Sequence, residues 1–265
     1  MTRVAVAGLG AVGRVLVHRL TEGVPGIELT AVSARDLVRA QETMRQLGID
    51  VPARNIADLV PLADLVVECA PAHLLPAIAE PFLREGKEVV VLSAGALLEY
   101  PHLVELAETH RGRISVPTGA LLGLDAIAAA AEGGISSLRL ITRKPPAGLV
   151  GAPGVGEGVD LTSLTGPLLV FSGTAREAAR RFPANLNVAV ALSLAGPGPD
   201  RTDVEVWADP GVTKNTHTIM MESDVANLKM TIENVPSENP RTGRITALSV
   251  ISMLRKRNAS LRVGS

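Results

Sequence analysis

A glycine-rich turn near the start of the chain most constrains what it can fold into. Gly8, Gly10 and Gly13 form the pattern G-x-G-x-x-G, directly after an apolar run and directly before a helical pattern. A strand, this turn and a helix in succession are typical of a unit whose turn and helix N-terminus, here Ala11 and Val12, hold the pyrophosphate of a dinucleotide. A glycine turn without any ligand is the alternative interpretation.

The first 118 residues alternate short apolar runs with helical stretches. Strands are predicted at residues 4–7, 27–33, 65–67, 89–92 and 114–116. Helices are predicted at residues 12–22, 37–47, 73–85 and 101–110. Strands separated by helices pair in parallel through right-handed crossovers, so this part predicts an α/β Rossmann domain, a doubly wound parallel sheet.

The pattern changes after residue 118. A loop is predicted over residues 148–166, and polar and apolar residues alternate over 204–209 and 227–233. Such alternation is typical of a mixed or antiparallel sheet with one buried face, so residues 119–244 predict a second α+β domain. On the candidate residues and the resemblance described below, we expect this domain to serve substrate binding, catalysis and dimerisation. Thr174 to Glu177 form a capping box that predicts a helix start. A last helix, within residues 245–265, is expected to pack back on the first domain.

Composition and charge exclude several classes of protein. Hydrophobic residues make up 46% of the chain and aromatic residues 2%, which predicts an aliphatic core. No run of about 18 apolar residues spans a bilayer, and the start lacks a signal-peptide pattern. A net charge of -1 argues against nucleic-acid binding, and a single cysteine, Cys69, excludes an internal disulfide. We therefore expect a cytoplasmic globular protein without membrane or nucleic-acid partners.

The end of the second predicted strand bears on the choice of dinucleotide. An acidic residue there normally binds the ribose hydroxyls of NAD. The chain instead has Ser33 and Arg35, which could hold the 2′-phosphate of NADP, followed by Asp36, which could serve NAD. Arg35 as a solvated loop charge is the alternative. At the end of the third strand, Ala70 is predicted to face the cofactor, and His73 either faces it or starts a helix.

The second domain carries the candidate groups for chemistry. His217 lies among polar residues at the start of a predicted strand, where an imidazole could transfer a proton near neutral pH or fill a structural role. Asn185 and Asn187 could bind substrate or cap a helix. Arg143 and Lys144, at a strand end, could bind carboxylates or lie exposed. The histidines show no metal-ligand spacing, so no metal is expected.

The chain resembles the L-aspartate dehydrogenase family almost from end to end. The resemblance is carried by segments Gly8–Gly13, Ser93–Leu97, Thr118–Ala120, Gly123–Asp125, Thr142–Pro146, Ser172–Ala178, Phe182–Ala189, Asp209–Pro210, Asn215–His217 and Asn239–Gly243. It implies that His217 is the active-site residue and that Ala120 and Asn187 contact the dinucleotide. Thr118 stands where the family often has serine. Ser223–Ala226 replaces a glycine-containing turn, and this change lies close enough to His217 to leave the substrate preference open.

The resemblance implies an NAD- or NADP-dependent oxidation of L-aspartate to oxaloacetate and ammonia by way of iminosuccinate, and the reverse reductive amination. A homodimer is expected on the same grounds. Two other functions stay open: a dehydrogenase or reductase of another amino or imino acid, and a non-catalytic NAD(P)-binding sensor.

Overall fold

The computed structural model describes residues 1–156, 159–183, 186–236 and 243–264. These divide into two compact units: Met1–Gly119 together with Thr246–Val263, and Ala120–Ile245. Each unit is built around its own five-stranded sheet.

The first unit contains a fully parallel sheet. Its strands are β1 (Thr2–Ala7), β2 (Ile27–Ser33), β3 (Leu65–Glu68), β4 (Glu88–Val91) and β5 (Arg113–Ser115). They lie in the order β2-β1-β3-β4-β5, and every neighbouring pair is parallel. The two central strands β3 and β4 are buried along their whole length, which explains why they consist mostly of consecutive aliphatic residues.

Helices cover both faces of this sheet. They are α1 (Ala11–Glu22), α2 (Leu37–Gln46), α3 (Leu75–Arg84), α4 (Ala96–Glu99), α5 (His102–His110) and the C-terminal helix, which is α9 (Ile245–Asn258). One face packs against a cluster with residues of α1 and α9, among them Leu16 and Val250, and the other against α3 and α5 through Ile78 and Leu103. The predicted doubly wound sheet is confirmed, with strand and helix bounds within about two residues of the predicted ones.

The second unit contains a mixed sheet with helices packed against one face. Its strands are β6 (Ile135–Lys144), β7 (Leu168–Thr174), β8 (Asp203–Ala208), β9 (Asn215–Ser223) and β10 (Leu228–Asn234), in the order β10-β9-β6-β8-β7. The helices are α6 (Leu124–Ala131), α7 (Ala175–Arg181) and α8 (Asn187–Ala195). Only β6 and β8 run parallel; the other pairs are antiparallel.

Local signals in the second unit explain its elements. Thr174 and Glu177 form the predicted capping box at the start of α7. Val204, Val206 and Ala208 alternate with half-buried residues along β8, as the period-two pattern predicts. In the described part of residues 148–166 the chain forms turns and a short 3-10 helix, Leu161–Ser163, as expected for a loop.

Two searches of the described residues give negative results. No helix there is long and apolar enough to cross a bilayer. Within the same residues, no cluster of three or more His, Cys, Asp or Glu side chains is placed to hold a metal ion.

Candidate active site

A cavity of about 920 Å³ lies at the carboxyl ends of β1, β2 and β3 in the first unit. Its lining comprises the glycine turn Gly8–Gly10, Ser33–Asp36, Cys69–Pro71, Arg14, Arg39, Thr43, Asn55 and His73, with their apolar neighbours. The carboxyl edge of a parallel sheet, next to the N-terminus of α1, is where such folds bind dinucleotides. The cavity therefore brings together the predicted residues Gly8, Gly10, Ser33, Arg35, Asp36 and Ala70.

The glycine turn is shaped for this ligand. Gly8 has a φ of 112° and donates its N–H to Ser33 O at 2.7 Å, and a side chain there would collide with Cys69 O. Gly13 lies so close to Gly8 O that a Cβ would overlap that oxygen. Beside Gly10, by contrast, a Cβ would meet no heavy atom within 4 Å, so open space lies over the turn where a phosphate would approach.

Three arginines, one on α1 and two in or beside α2, contribute to the lining of the cavity. Arg14, Arg35 and Arg39 all line it and are exposed to solvent. Asp36 is the N-cap of α2, and its Oδ1 accepts the backbone N–H of Arg39 at 2.9 Å. Arg14 and Arg39 are missing from the predicted site, although each occupies an early turn of a helix that follows a strand, which is a usable signal.

His217 lies on the face of the second sheet that the helices cover. It pairs with Thr142 across β9 and β6, and its side chain is 3% exposed. A hydrogen bond of 3.1 Å joins His217 Nδ1 and Thr142 Oγ1. With the proton on Nδ1 donated to Thr142, the lone pair of Nε2 becomes the group that can accept a proton.

Arg143 and Lys144, the two cations predicted to bind substrate, point to opposite faces of the second sheet because side chains alternate along a strand. Lys144, two residues after Thr142 on β6, is buried on the same face as His217. Arg143 points to the opposite face, where it donates to Asp209 Oδ2 at 2.9 Å and lies 4.9 Å from the centre of the Trp207 ring. The structure thus places Lys144 near the imidazole and Arg143 in a separate ion pair.

Burial dominates the electrostatics of His217. Loss of water contact, and secondarily the charge of Lys144, lower the pKa of His217 from 6.5 to about 3. The imidazole is therefore neutral at physiological pH and available as a base. A carboxylate of a bound substrate nearby would raise this pKa toward neutrality, because an opposite charge favours the protonated form.

This depressed pKa predicts how stability depends on pH. Because the folded value is about 3 and the unfolded value 6.5, the unfolded chain takes up the proton first as the pH falls below 6.5. His217 should therefore contribute its full stability above pH 6.5 and lose about 2 kcal/mol of it by pH 5. Urea unfolding of the wild type and of His217→Gln at pH 7 and pH 5 measures this. If the unfolding free energy falls equally in the two proteins between pH 7 and pH 5, this prediction is contradicted.

The other predicted residues are more scattered. Ala11 and Val12 form the first turn of α1, and Ala70 donates its N–H to Glu68 Oε1 at 2.9 Å. Asn187 is the first residue of α8. Ala120 O accepts a hydrogen bond of 3.0 Å from Asn234 Nδ2. Asn185, a predicted substrate residue, lies outside the described residues.

The other four histidines, His18, His73, His102 and His110, lie in separate parts of the first unit. His73 belongs to a 3-10 turn, Ala72–Leu74, and lines the cavity. His18 and His102 are exposed beside Glu22 and Glu80, and His110 ends α5.

Profiles of two protein families match this chain. The family described as "Homoserine dehydrogenase, NAD binding domain" matches residues 8–117. The family described as "Aspartate dehydrogenase, C-terminal" matches residues 125–257. The matches thus meet near the boundary between the two units.

Curated relatives are similar over the full length. L-aspartate dehydrogenase 3 of Bordetella bronchiseptica is 60% identical over 264 residues, which are 99% of this chain and 97% of the relative. The L-aspartate dehydrogenase of Methanosarcina mazei is 39% identical over 271 residues and covers 100% of both chains.

Among solved structures, the aspartate dehydrogenase of Thermotoga maritima has the same fold. It superposes with a TM-score of 0.79 at 24% identity, over 100% of both chains. A hyperthermophilic archaeal homoserine dehydrogenase superposes with a TM-score of 0.58 at 16% identity, over 100% of this chain and 99% of that one.

Proposed function

The chain belongs to the aspartate dehydrogenase family, and we propose that it oxidises L-aspartate to oxaloacetate and ammonia with NAD or NADP, through iminosuccinate and reversibly. The observation that carries the proposal is the buried, neutral His217 held by Thr142 on the same sheet face as Lys144. A non-catalytic binding protein has no need to bury an imidazole and an ammonium together, because burying an ionisable group costs stability.

The first unit would hold the cofactor. The backbone around Gly8 and Gly10 and the first N–H groups of α1 would bind the pyrophosphate, and Ser33 and Arg35 would contact the adenosine ribose. When bound, a nicotinamide dinucleotide supplies the acceptor for the hydride that leaves the substrate Cα.

The second unit would supply the proton transfer and a cation. His217 Nε2 would take a proton from the water that attacks the imine carbon, and ammonia would leave as the carbonyl of oxaloacetate forms. The hydrogen bond between Thr142 Oγ1 and Nδ1 would hold the ring in place, and this step uses the tautomer with its proton on Nδ1. The ammonium of Lys144, on the same sheet face as His217, would pair with a substrate carboxylate, and Arg143 lies on the opposite face in an ion pair with Asp209.

Initial rates over a panel of amino acids test the substrate. The panel includes L-aspartate, L-glutamate, L-alanine and L-homoserine with NAD and with NADP, and oxaloacetate plus ammonia in reverse. We expect the highest kcat/KM for L-aspartate. A higher value for another amino acid would favour the related dehydrogenases, and bound cofactor without turnover would favour a sensor.

We further propose that the enzyme accepts NADP. Support comes from Arg14, Arg35 and Arg39 around the cavity, and from Asp36, whose carboxylate caps α2 rather than standing unengaged for a ribose diol. Arginine is well suited to a phosphate because its planar fork donates two parallel hydrogen bonds.

Replacing Arg35 by alanine tests this preference. We expect the ratio of kcat/KM for NADP to that for NAD to fall about tenfold, as for the loss of one charge-assisted hydrogen bond. Arg45→Ala is the control, because Arg45 is an exposed arginine of α2, the helix that follows Arg35, and it pairs with Glu42 rather than lining the cavity. An unchanged ratio in Arg35→Ala would remove the residue from cofactor selection.

A further inference from the structure

A buried carboxylate lies at the carboxyl end of β3, behind the cavity. The Glu68 side chain is 0% exposed and accepts four hydrogen bonds. Its Oε1 accepts from Ala70 N at 2.9 Å and Ser93 Oγ at 3.1 Å, and its Oε2 accepts from Leu92 N at 3.2 Å and Ser93 N at 2.9 Å. One side chain therefore joins the segment that follows β3 to the segment that follows β4.

The first of these segments supports the glycine turn. Cys69, Ala70 and Pro71 line the cavity, and Cys69 O lies directly against Gly8. A shift of the Ala70 N–H group would therefore displace both the cavity wall and the backbone that contacts the glycine turn. Glu68 itself does not line the cavity, so it can act on a ligand there only through these neighbours.

A fully buried carboxylate at this position carries a desolvation cost that its hydrogen bonds offset in part. The three preceding residues, Leu65, Val66 and Val67, are fully buried and apolar, as befits a central parallel strand. Burial raises the pKa of Glu68 while the donated hydrogen bonds lower it, and burial has the larger effect. An unburied or apolar residue would avoid this cost, but it would leave three backbone N–H groups without these partners.

We propose that Glu68 is a positioning residue for the dinucleotide: its carboxylate fixes Cys69–Pro71 and Ser93 in the geometry that binds the cofactor. This inference rests on the proposed dinucleotide site. Glutamine is the sharpest probe, because it keeps the size of the side chain and replaces one acceptor oxygen by an NH₂ donor. Its best orientation keeps the oxygen on Leu92 and Ser93 N–H and turns the NH₂ toward Ser93 Oγ, which deprives Ala70 N–H of its acceptor.

The opposite edge of the same sheet provides a matched control. Glu88, the first residue of β4, is 8% exposed and accepts a hydrogen bond of 2.6 Å from Ser115 Oγ and another from Arg257. Glu88→Gln therefore perturbs a buried carboxylate of the neighbouring strand far from the carboxyl edge. It should lower the melting temperature without changing the geometry beside the glycine turn.

The experiment compares Glu68→Gln, Glu88→Gln and the wild type by fluorescence titration with NADPH and NADH and by thermal unfolding. We expect Glu68→Gln to weaken the Kd for the better cofactor about tenfold, because displacement of a positioned segment costs binding. Glu88→Gln should stay within about twofold of the wild type at a comparable loss of melting temperature. Equal Kd values in both variants would overturn the proposal.

A second pair of variants keeps the test decisive if Glu68→Gln does not fold. Ser93→Ala removes one donor to Glu68, and Ser115→Ala removes the corresponding donor to Glu88. We expect about threefold weaker cofactor binding for Ser93→Ala, as for one modest hydrogen bond, and no change for Ser115→Ala. Unchanged binding in Ser93→Ala would overturn the proposal. A wild type that binds neither cofactor would instead refute the proposed function.

Discussion

Replacing His217 by alanine should lower kcat for aspartate oxidation by about two to four orders of magnitude, the usual contribution of a positioned acid–base group. The Kd for NADPH or NADH should stay within about twofold, because the residues that line the cavity belong to the first unit and His217 is not among them. Steady-state kinetics at saturating cofactor and a fluorescence titration measure the two effects separately.

The physical reason lies in the surroundings of the imidazole. Burial keeps His217 neutral, and the hydrogen bond between Nδ1 and Thr142 Oγ1 restrains the ring and leaves Nε2 outside that contact. Alanine removes the ring nitrogen that would accept the proton, so water would have to attack the imine without a base. Loss of the ring should therefore affect kcat more than substrate binding.

Ile219→Val is the matched control for this variant. Ile219 is fully buried two residues further along β9, on the same face as His217, and pairs with Leu140. Its truncation should cost about 1 kcal/mol of unfolding free energy without removing a proton acceptor. A kcat that falls equally in both variants would indicate a packing defect, and near-normal turnover in His217→Ala would remove the histidine from the mechanism.

Much of the first unit is predictable because its central strands are buried on both faces. Such strands appear in the sequence as consecutive aliphatic residues, and the strand predicted at residues 65–67 is observed as Leu65–Glu68. The strand β6 is harder to recognise, since it includes Ser, Arg, Thr and Lys and carries buried Thr142 and Lys144 where alternation would place apolar side chains. Hydrophobic periodicity is therefore a weak signal for a strand that buries polar side chains.

The candidate site was only partly accessible to sequence reasoning. His217 is recognisable as an imidazole among polar residues, but its partner Thr142 lies 75 residues away and is brought near by strand register alone. The same register decides that Lys144, and not Arg143, shares the face of the imidazole. The role proposed for Glu68 is not predictable from the sequence, because a single acidic residue at a strand end does not reveal the four hydrogen-bond donors around it.

The second large effect concerns the glycine turn, where two similar substitutions should both weaken cofactor binding but differ in their effect on stability. Gly13→Ala places a Cβ against Gly8 O, a backbone atom that cannot move without displacing the turn from β1. We expect a loss of about 3 kcal/mol or more in unfolding free energy, at the upper end for an overpacked core, together with loss of cofactor binding. Urea unfolding and NADPH titration measure both.

Gly10→Ala should leave the fold intact and still abolish tight binding. Gly10 has a φ of -72°, which alanine adopts without strain, and its Cβ would meet no heavy atom within 4 Å. The unfolding free energy should stay the same or rise by up to about 1 kcal/mol, because alanine restricts the unfolded chain. The methyl group would nevertheless occupy the space through which a pyrophosphate approaches the backbone, so we expect the Kd to weaken by about 10- to 100-fold.

The contrast between these variants separates the two uses of glycine in one motif. If Gly13 serves packing and Gly10 serves ligand approach, the first variant loses stability and binding together, whereas the second loses binding alone. A Gly10→Ala protein that binds the cofactor as tightly as the wild type would show that no phosphate passes close to this residue. In that case the open space over the turn would have to serve another part of the ligand, and the binding mode proposed for the first unit would be wrong.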